Sequence, residues 1–130
     1  MKRRTRVVFG IGAVSFAVLL ACAPKVSLTP LGAGAVYPAT PDSIAIPLYA
    51  TTKPECPYDE IAAITAEGTT VRSVDAEVLS ALKAKARAVG GHAIVGYTQS
   101  SRLASSGSVS TDIHVRSGTA IRFRSADCMK

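Results

Sequence analysis

Residues 73–98 read SVDAEVLSALKAKARAVGGHAIVGYT and predict a helix followed at once by a strand. Ser73 is placed to cap the helix, and Asp75 and Glu77 lie in its first turn, where negative charge favours the helix dipole. Apolar side chains then recur along one helical stripe, at Val78, Leu79, Leu82, Ala86 and Val89. The pair Gly90-Gly91 supplies the left-handed residue that ends many helices.

Strand patterns flank this helix on both sides. Two candidate strands precede it, at 44–49 and 58–66, and two follow it, at 92–98 and 113–124. Pro47 predicts an edge position for the first strand, because proline cannot donate a hydrogen bond to a neighbouring strand. The order strand, strand, helix, strand, strand predicts an α+β domain, in which one helix covers one face of a mostly antiparallel four-stranded sheet.

The segment that precedes the last strand and the strand itself differ in composition. Residues 99–112 are rich in serine and glycine and predict a flexible loop. Residues 117–119, Ser-Gly-Thr, interrupt the last strand and predict a bulge. Four apolar residues of this strand share one side, namely Ile113, Val115, Ile121 and Phe123.

The other side of the last strand is basic, with His114, Arg116, Arg122 and Arg124. One hypothesis is a partner-binding surface that contacts anionic lipid headgroups or an acidic envelope protein. The alternative is an ordinary solvated face of a sheet.

The N-terminus has the features of a targeting segment. Residues 1–6 read MKRRTR, and residues 7–21 carry no charge. A basic start before a short apolar run predicts a secretory signal peptide over residues 1–21, because a membrane-spanning helix needs about 20 apolar residues. The sequence Leu19-Leu20-Ala21-Cys22 resembles the bacterial lipobox. That resemblance implies cleavage before Cys22 and a lipid on its thiol, whereas an ordinary signal peptide cut elsewhere is the alternative.

Cleavage changes the charge of the chain. The full sequence has 15 Lys and Arg against 9 Asp and Glu, a net charge of +6. Four of these cations lie in residues 1–21, so the remainder has 11 against 9, or +2. A basic face for nucleic acid is therefore not predicted, and no nucleic-acid partner is expected.

Residues 22–42 contain four prolines, which disfavour a helix. We interpret this segment as the lipidated cysteine and a flexible tether, followed by a small domain over residues 43–130. Ala23 follows the lipidated cysteine. Aspartate at that position resembles an inner-membrane retention signal, so alanine favours the outer membrane, with the domain facing the periplasm. In an organism without an outer membrane, the cell membrane is expected.

Two further cysteines, Cys56 and Cys128, belong to the domain. Thiols outside the cytoplasm tend to pair, which predicts a disulfide that joins the first loop to the C-terminal tail. The alternatives are a metal pair, a reactive thiol or two unpaired cysteines. Two cysteines and two distant histidines are few ligands for a metal. No catalytic motif of the serine-hydrolase, phosphate-loop or zinc-protease type is present, so no catalytic residue, metal or cofactor is predicted.

Several short motifs resemble those of the small YbjQ-like domains and of RcsF-like lipoproteins, which are envelope-stress sensors. The motifs lie at residues 84–97, 118–122, 37–40 and 57–61, and the resemblance spans residues 37–124. RcsF-like sensors carry four domain cysteines in two disulfides, and this domain has two. The resemblance implies a membrane-anchored, non-enzymatic module for envelope binding or stress sensing. The alternatives are a structural lipoprotein without a specific ligand and a metal-binding periplasmic module.

Overall fold

A computed structural model describes residues 23–69 and 74–129. Five strands and one helix follow each other as β1 (Lys25–Pro30), β2 (Leu48–Tyr49), β3 (Tyr58–Thr69), α1 (Val74–Ala88), β4 (Ala93–Ser106) and β5 (Val109–Phe123). A short 3-10 helix, Ala126–Met129, ends the described chain. The signal peptide over 1–21, the lipidation site at Cys22 and the N-cap at Ser73 lie outside the described residues.

The strands form one sheet in the order β1-β3-β5-β4-β2. All neighbouring pairs are antiparallel except β2 with β4, which are parallel. The α+β class and the single helix are as predicted, but the sheet has five strands and is mixed, not four-stranded. Strand β2 lies at an edge, and only two residues of the predicted strand 44–49 pair with β4.

The fifth strand comes from the segment predicted as a flexible tether. Residues Lys25–Pro30 pair antiparallel with β3, from Lys25 opposite Glu67 to Pro30 opposite Ala62. Val26 and Leu28 alternate in this strand and pack against the buried core. The prediction of a tether over the whole of 22–42 is therefore wrong, because this alternation places an apolar row on the sheet. Proline is tolerated at Pro30 because the strand is an edge.

The predicted loop 99–112 is also wrong. Strands β4 and β5 continue through it and pair as far as Ser106 opposite Val109. A two-residue turn joins them, with Gly107 in the left-handed region (φ +63°) that tight hairpin turns require. The described residues thus include a long hairpin where serine-rich composition predicts a loop.

The core lies between α1 and the sheet. The helix stripe is confirmed, since Val78, Leu82 and Ala86 are fully buried. Their neighbours in the buried cluster on β3, β4 and β5 are Ala62, Ile64, Ala66, Ile94 and Ala120. Three of these five residues are alanines, whose small side chains allow the helix backbone to approach the sheet closely. No helix among the described residues has the length and hydropathy needed to cross a membrane.

The pairing of β4 with β5 shifts between Val95 and Thr98, opposite Gly118. The irregularity predicted at 117–119 therefore lies on the facing strand. A second shift occurs in β3 between Glu60 and Ala62. Since each shift changes which side chains face the helix, the alternation of a strand holds only within the segments between shifts.

Candidate functional site

The N-terminal end of α1 is tied to β5 through a cluster of charged side chains. Arg116 Nη2 donates to Asp75 Oδ1 over 2.9 Å, and His114 Nδ1 lies 2.9 Å from the same oxygen. Only 8% of Arg116 is exposed, although Asp75 itself is largely exposed. The carboxylate therefore neutralises a guanidinium that lies under the helix, and the cluster fixes the start of α1 on the sheet.

Asp75→Asn is expected to lower the free energy of unfolding by about 1–2 kcal/mol, because the buried Arg116 loses its anionic acceptor while solvent at the exposed carboxylate screens part of the loss. Urea denaturation measures this change. The matched control is Asp59→Asn, whose partner Arg124 is exposed and for which little change is expected. Equal effects of the two substitutions would contradict a special role for the Asp75 contact.

A second cluster lies at the C-terminal end of α1. Arg122 Nη1 donates to the carbonyl oxygen of Gly90 over 2.8 Å, and its guanidinium stacks over the ring of Tyr37 at 4.9 Å. Thr40 adds a hydrogen bond from its hydroxyl to the oxygen of Gly91, 2.8 Å away. We call residues 37–40 the strap. The strap holds the helix end against β5 and β4, a role that the sequence motif 37–40 did not reveal.

His92 is the buried member of this second cluster. The backbone N–H of Phe123 donates to its Nδ1 over 3.1 Å, and Arg122 Nη1 lies 3.2 Å from its Nε2. Because Nδ1 accepts this hydrogen bond, the proton of the neutral ring is on Nε2, and a second proton on Nδ1 would face the N–H of Phe123 instead of an acceptor. Burial, and secondly the charge of Arg122, lower the pKa of His92 below its ordinary value of 6.5.

The protein is expected to lose stability as the pH falls below about 6.5. Below that pH the unfolded chain binds a proton at His92, while the folded chain, whose pKa is lower, does not. The loss continues until the folded-state pKa is reached, and the stabilisation is fully present above the unfolded pKa. Unfolding free energies between pH 8 and 5 measure this trend. His92→Gln should reduce the decline, and an unchanged decline in that variant would contradict this assignment.

The remaining basic residue of the strand, Arg124, is exposed. Its Nε and Nη2 both donate to Asp59 Oδ1, over 3.0 and 2.7 Å. The hydrogen bond to this carboxylate, with its charge, raises the pKa of Arg124 above its ordinary value. As an exposed ion pair, it is expected to add little stability.

The side chains of His114, Arg116, Arg122 and Arg124 therefore do not form one open basic surface, and partner binding through them stays a prediction. Arg116 is buried, and the other three side chains contact Asp75, the strap and helix end, or Asp59. The physical reason is that α1 packs on the basic side of β5, where the alanines of the sheet leave room for it. The alternation of basic and apolar side chains along β5 can be read from the sequence. The face of the sheet that α1 covers cannot.

The opposite face carries the disulfide. Cys56 and Cys128 are bonded, with their Cα atoms 6.1 Å apart. This bond ties the loop before β3 to the 3-10 helix after β5. Around it lies a second buried cluster, Ala93, Val95, Ile121 and Phe123, with Tyr49, Tyr58 and Met129 packed alongside. The predicted pairing of these two cysteines is confirmed.

Farther along the same face, polar contacts replace this cluster. Glu67 and Arg102 form an ion pair of 3.1 Å across β5, and the hydroxyls of Thr98 and Ser117 are 2.8 Å apart. Within residues 23–69 and 74–129, no three His, Cys, Asp or Glu side chains come close enough together to hold a metal ion.

The chain matches no protein-family model and no curated protein sequence. Among solved structures, it is similar to the crystal structure of a Francisella virulence factor, FvfA, in its orthorhombic form. The match covers 78% of this chain and 99% of that chain, with 17% identity and a TM-score of 0.50. At this identity the similarity supports the α+β fold alone.

Proposed function

We propose that the protein is a membrane-anchored lipoprotein of the bacterial envelope, whose domain binds a partner or senses stress and has no catalytic role. The proposed anchor is a lipid on Cys22, and the proposed location is the outer membrane, with the domain facing the periplasm. A relationship to the YbjQ-like and RcsF-like domains is part of this proposal.

The distribution of the three cysteines carries the proposal. Cys56 and Cys128 are joined to each other, so Cys22 is the one cysteine outside the domain disulfide. Disulfides persist mainly in exported proteins, which agrees with a secretory segment over residues 1–21. The remaining cysteine comes directly after that segment, at the position where the lipobox pattern expects the lipidated thiol. Two acyl chains hold far better than one, since each buried CH₂ adds about 0.8 kcal/mol.

The chemistry of the domain favours binding over the metal-binding alternative. The thiols of Cys56 and Cys128 are consumed by the disulfide and supply no thiolate to a metal. One ring nitrogen of His92 accepts a backbone N–H, and His114 contacts Asp75. A structural lipoprotein without a specific ligand remains the second candidate, because the basic side chains of β5 are used within the chain.

Metabolic labelling with a radioactive fatty acid tests the anchor. The full chain is expected to incorporate the label and to fractionate with membranes, whereas Cys22→Ser should do neither, because serine cannot form the thioether. Cys56→Ser is the control: it should keep the label, since its thiol lies in the domain. Label retained in Cys22→Ser, or absent from the unaltered chain, would contradict lipidation at this position.

Crosslinking in cells, followed by mass spectrometry, separates the binding module from the structural lipoprotein. A binding module is expected to give the same crosslinked protein in independent preparations, through defined residues of the domain. Crosslinks spread over many abundant envelope proteins, with no preferred residue, would favour the structural role.

A further inference from the structure

The outer edge of β4 has little cover. Strand β2 pairs with β4 only at Ile94 and Val95, whereas β4 runs to Ser106. Within the parts of the chain that the structure describes, no strand pairs with the outer side of residues 98–106. A strand edge presents backbone N–H and C=O groups that can pair with a further strand.

The outer edge of β4 is less protected against pairing with a further strand than the edges formed by β1 and β2. Strand β1 begins at Lys25 and ends at Pro30, and β2 is two residues long and follows Pro47. Charges, prolines and short length are the usual means of blocking an edge. Residues 98–106 contain no proline and one charged residue, Arg102. Its guanidinium donates a hydrogen bond to the carboxylate of Glu67 in the same sheet. The long edge of β4 is therefore the unprotected one.

Within residues 23–69 and 74–129, the hairpin also extends beyond its neighbours. Strand β3 ends at Thr69, opposite Ile113, whereas β4 and β5 pair on to Ser106 and Val109. Of the strands that the structure describes, only β4 and β5 pair from Leu103 onwards, and a two-stranded ribbon is marginally stable alone in water. Leu103 is 72% exposed and Val109 is 63% exposed. A third strand would both stabilise the ribbon and cover an exposed leucine.

We propose that this third strand is β4 of a second copy of the chain, paired antiparallel about a two-fold axis at Leu103. The proposal goes beyond the lipoprotein function and does not depend on lipidation. In an antiparallel pair of β4 strands, the side chains of directly opposite residues point to the same face of the joined sheet. The two-fold axis must therefore pass between the two copies of one residue, which lie directly opposite each other.

Side-chain chemistry selects the residue on the axis. An axis at Arg102 would oppose two arginines, which is unfavourable for like charges. An axis at Leu103 opposes two leucines, and it places Arg102 opposite Ala104 of the second copy. Ser100 and Ser101 then meet serines, at Ser106 and Ser105 of the second copy. This register covers the exposed leucine and brings no like charges together.

The resulting dimer is closed. Each copy uses its one unprotected edge, so the two sheets join into ten strands, and pairing does not continue into a fibre. Because the two-fold axis is normal to the sheet, both α1 helices lie on the same face. The contact spans seven residues, about 23 Å. Such a small interface predicts association that depends on protein concentration.

Disulfide trapping tests the register. Leu103→Cys in the full chain is expected to form a disulfide-linked dimer under mild oxidation, since directly opposed Cα atoms lie about 4.5–5.5 Å apart. Ser105→Cys is the matched control, because the two copies of residue 105 would be about 14 Å apart. The chain without an added cysteine shows how much disulfide-linked dimer forms through Cys22 alone. Equal trapping at 103 and 105, or none at 103, would overturn the proposal.

Sedimentation of the full chain in detergent tests the association itself. A concentration-dependent dimer is expected, and Leu103→Lys should shift it to the monomer, since it would place two like charges on the axis. Circular dichroism checks that this exposed substitution leaves the fold unchanged. A monomer at every concentration, or a dimer unaffected by Leu103→Lys, contradicts the pairing. Trapping of β4 on a different protein but not on itself would replace the second copy by that partner.

Discussion

Replacing both Cys56 and Cys128 by alanine is expected to lower the free energy of unfolding by about 4 kcal/mol. The bond closes a loop with a sequence separation of 72 residues, and a long closed loop restricts the unfolded chain strongly. A domain of this size is stable by only about 5–15 kcal/mol in total, so the loss is a large share. The variant is expected to unfold at a much lower urea concentration.

Packing adds to this effect. The disulfide packs against the buried cluster on the sheet face that α1 does not cover, and Tyr49, Tyr58 and Met129 pack against the same cluster. Without the bond, the 3-10 helix Ala126–Met129 is held mainly by these side-chain contacts. Loss of the bond should therefore open this end of the domain before the helix side of the core.

Reductant supplies the control for this experiment. Urea denaturation of the unaltered protein is compared with and without reductant, and the double alanine variant is treated in the same way. The unaltered protein should lose stability on reduction, and the variant should not respond. A midpoint in the unaltered protein that does not move on reduction would show that the bond does not stabilise the domain.

The helix was predictable because its signals are local. The stripe of Val78, Leu82 and Ala86 and the stop at Gly90-Gly91 each depend on residues within a few positions of one another. The disulfide was predictable for a different reason: the domain has two cysteines, which allow one intramolecular pairing.

The hairpin and β1 were missed because their strand conformation depends on distant partners. Residues 99–106 have little intrinsic preference for a strand, and they gain one by pairing with β5. A usable signal was present on the other arm, where Val109, Thr111, Ile113 and Val115 alternate. In β1, the alternation of Val26 and Leu28 was hidden by prolines on both sides.

The charged clusters could not be found from sequence spacing. Asp75 is separated from Arg116 by 41 positions, and its place in the first helical turn already has an explanation in the helix dipole. Only the packing of α1 on the basic side of β5 brings the two together. The same packing draws Arg116 and Arg122 of the predicted interaction surface into contacts with the two ends of α1.

Gly90→Ala is expected to destabilise the protein by about 3 kcal/mol or more. Gly90 ends α1 in the left-handed region, with φ +82°. Its N–H donates to the oxygen of Arg87, and the N–H of Gly91 donates to that of Ala86, which completes the hydrogen bonds of the last turn. A Cβ at this position would lie 2.6 Å from the Cβ of Tyr37 and 2.7 Å from the backbone oxygen of Pro38.

Gly32→Ala separates the two causes of this loss. Gly32 has nearly the same φ, +79°, but a Cβ there meets no heavy atom within 4 Å. Gly32→Ala should therefore lower the free energy of unfolding only by the cost of a left-handed conformation for alanine, about 1–2 kcal/mol. The difference between the two variants in urea denaturation measures the contact of the strap with the helix end. Because Pro38 contributes a backbone oxygen, trimming Tyr37 to alanine should not rescue Gly90→Ala. Equal losses of unfolding free energy in the two variants would mean that the strap moves away from the added methyl group at no cost in free energy. That result would contradict the role of the strap in holding the helix end.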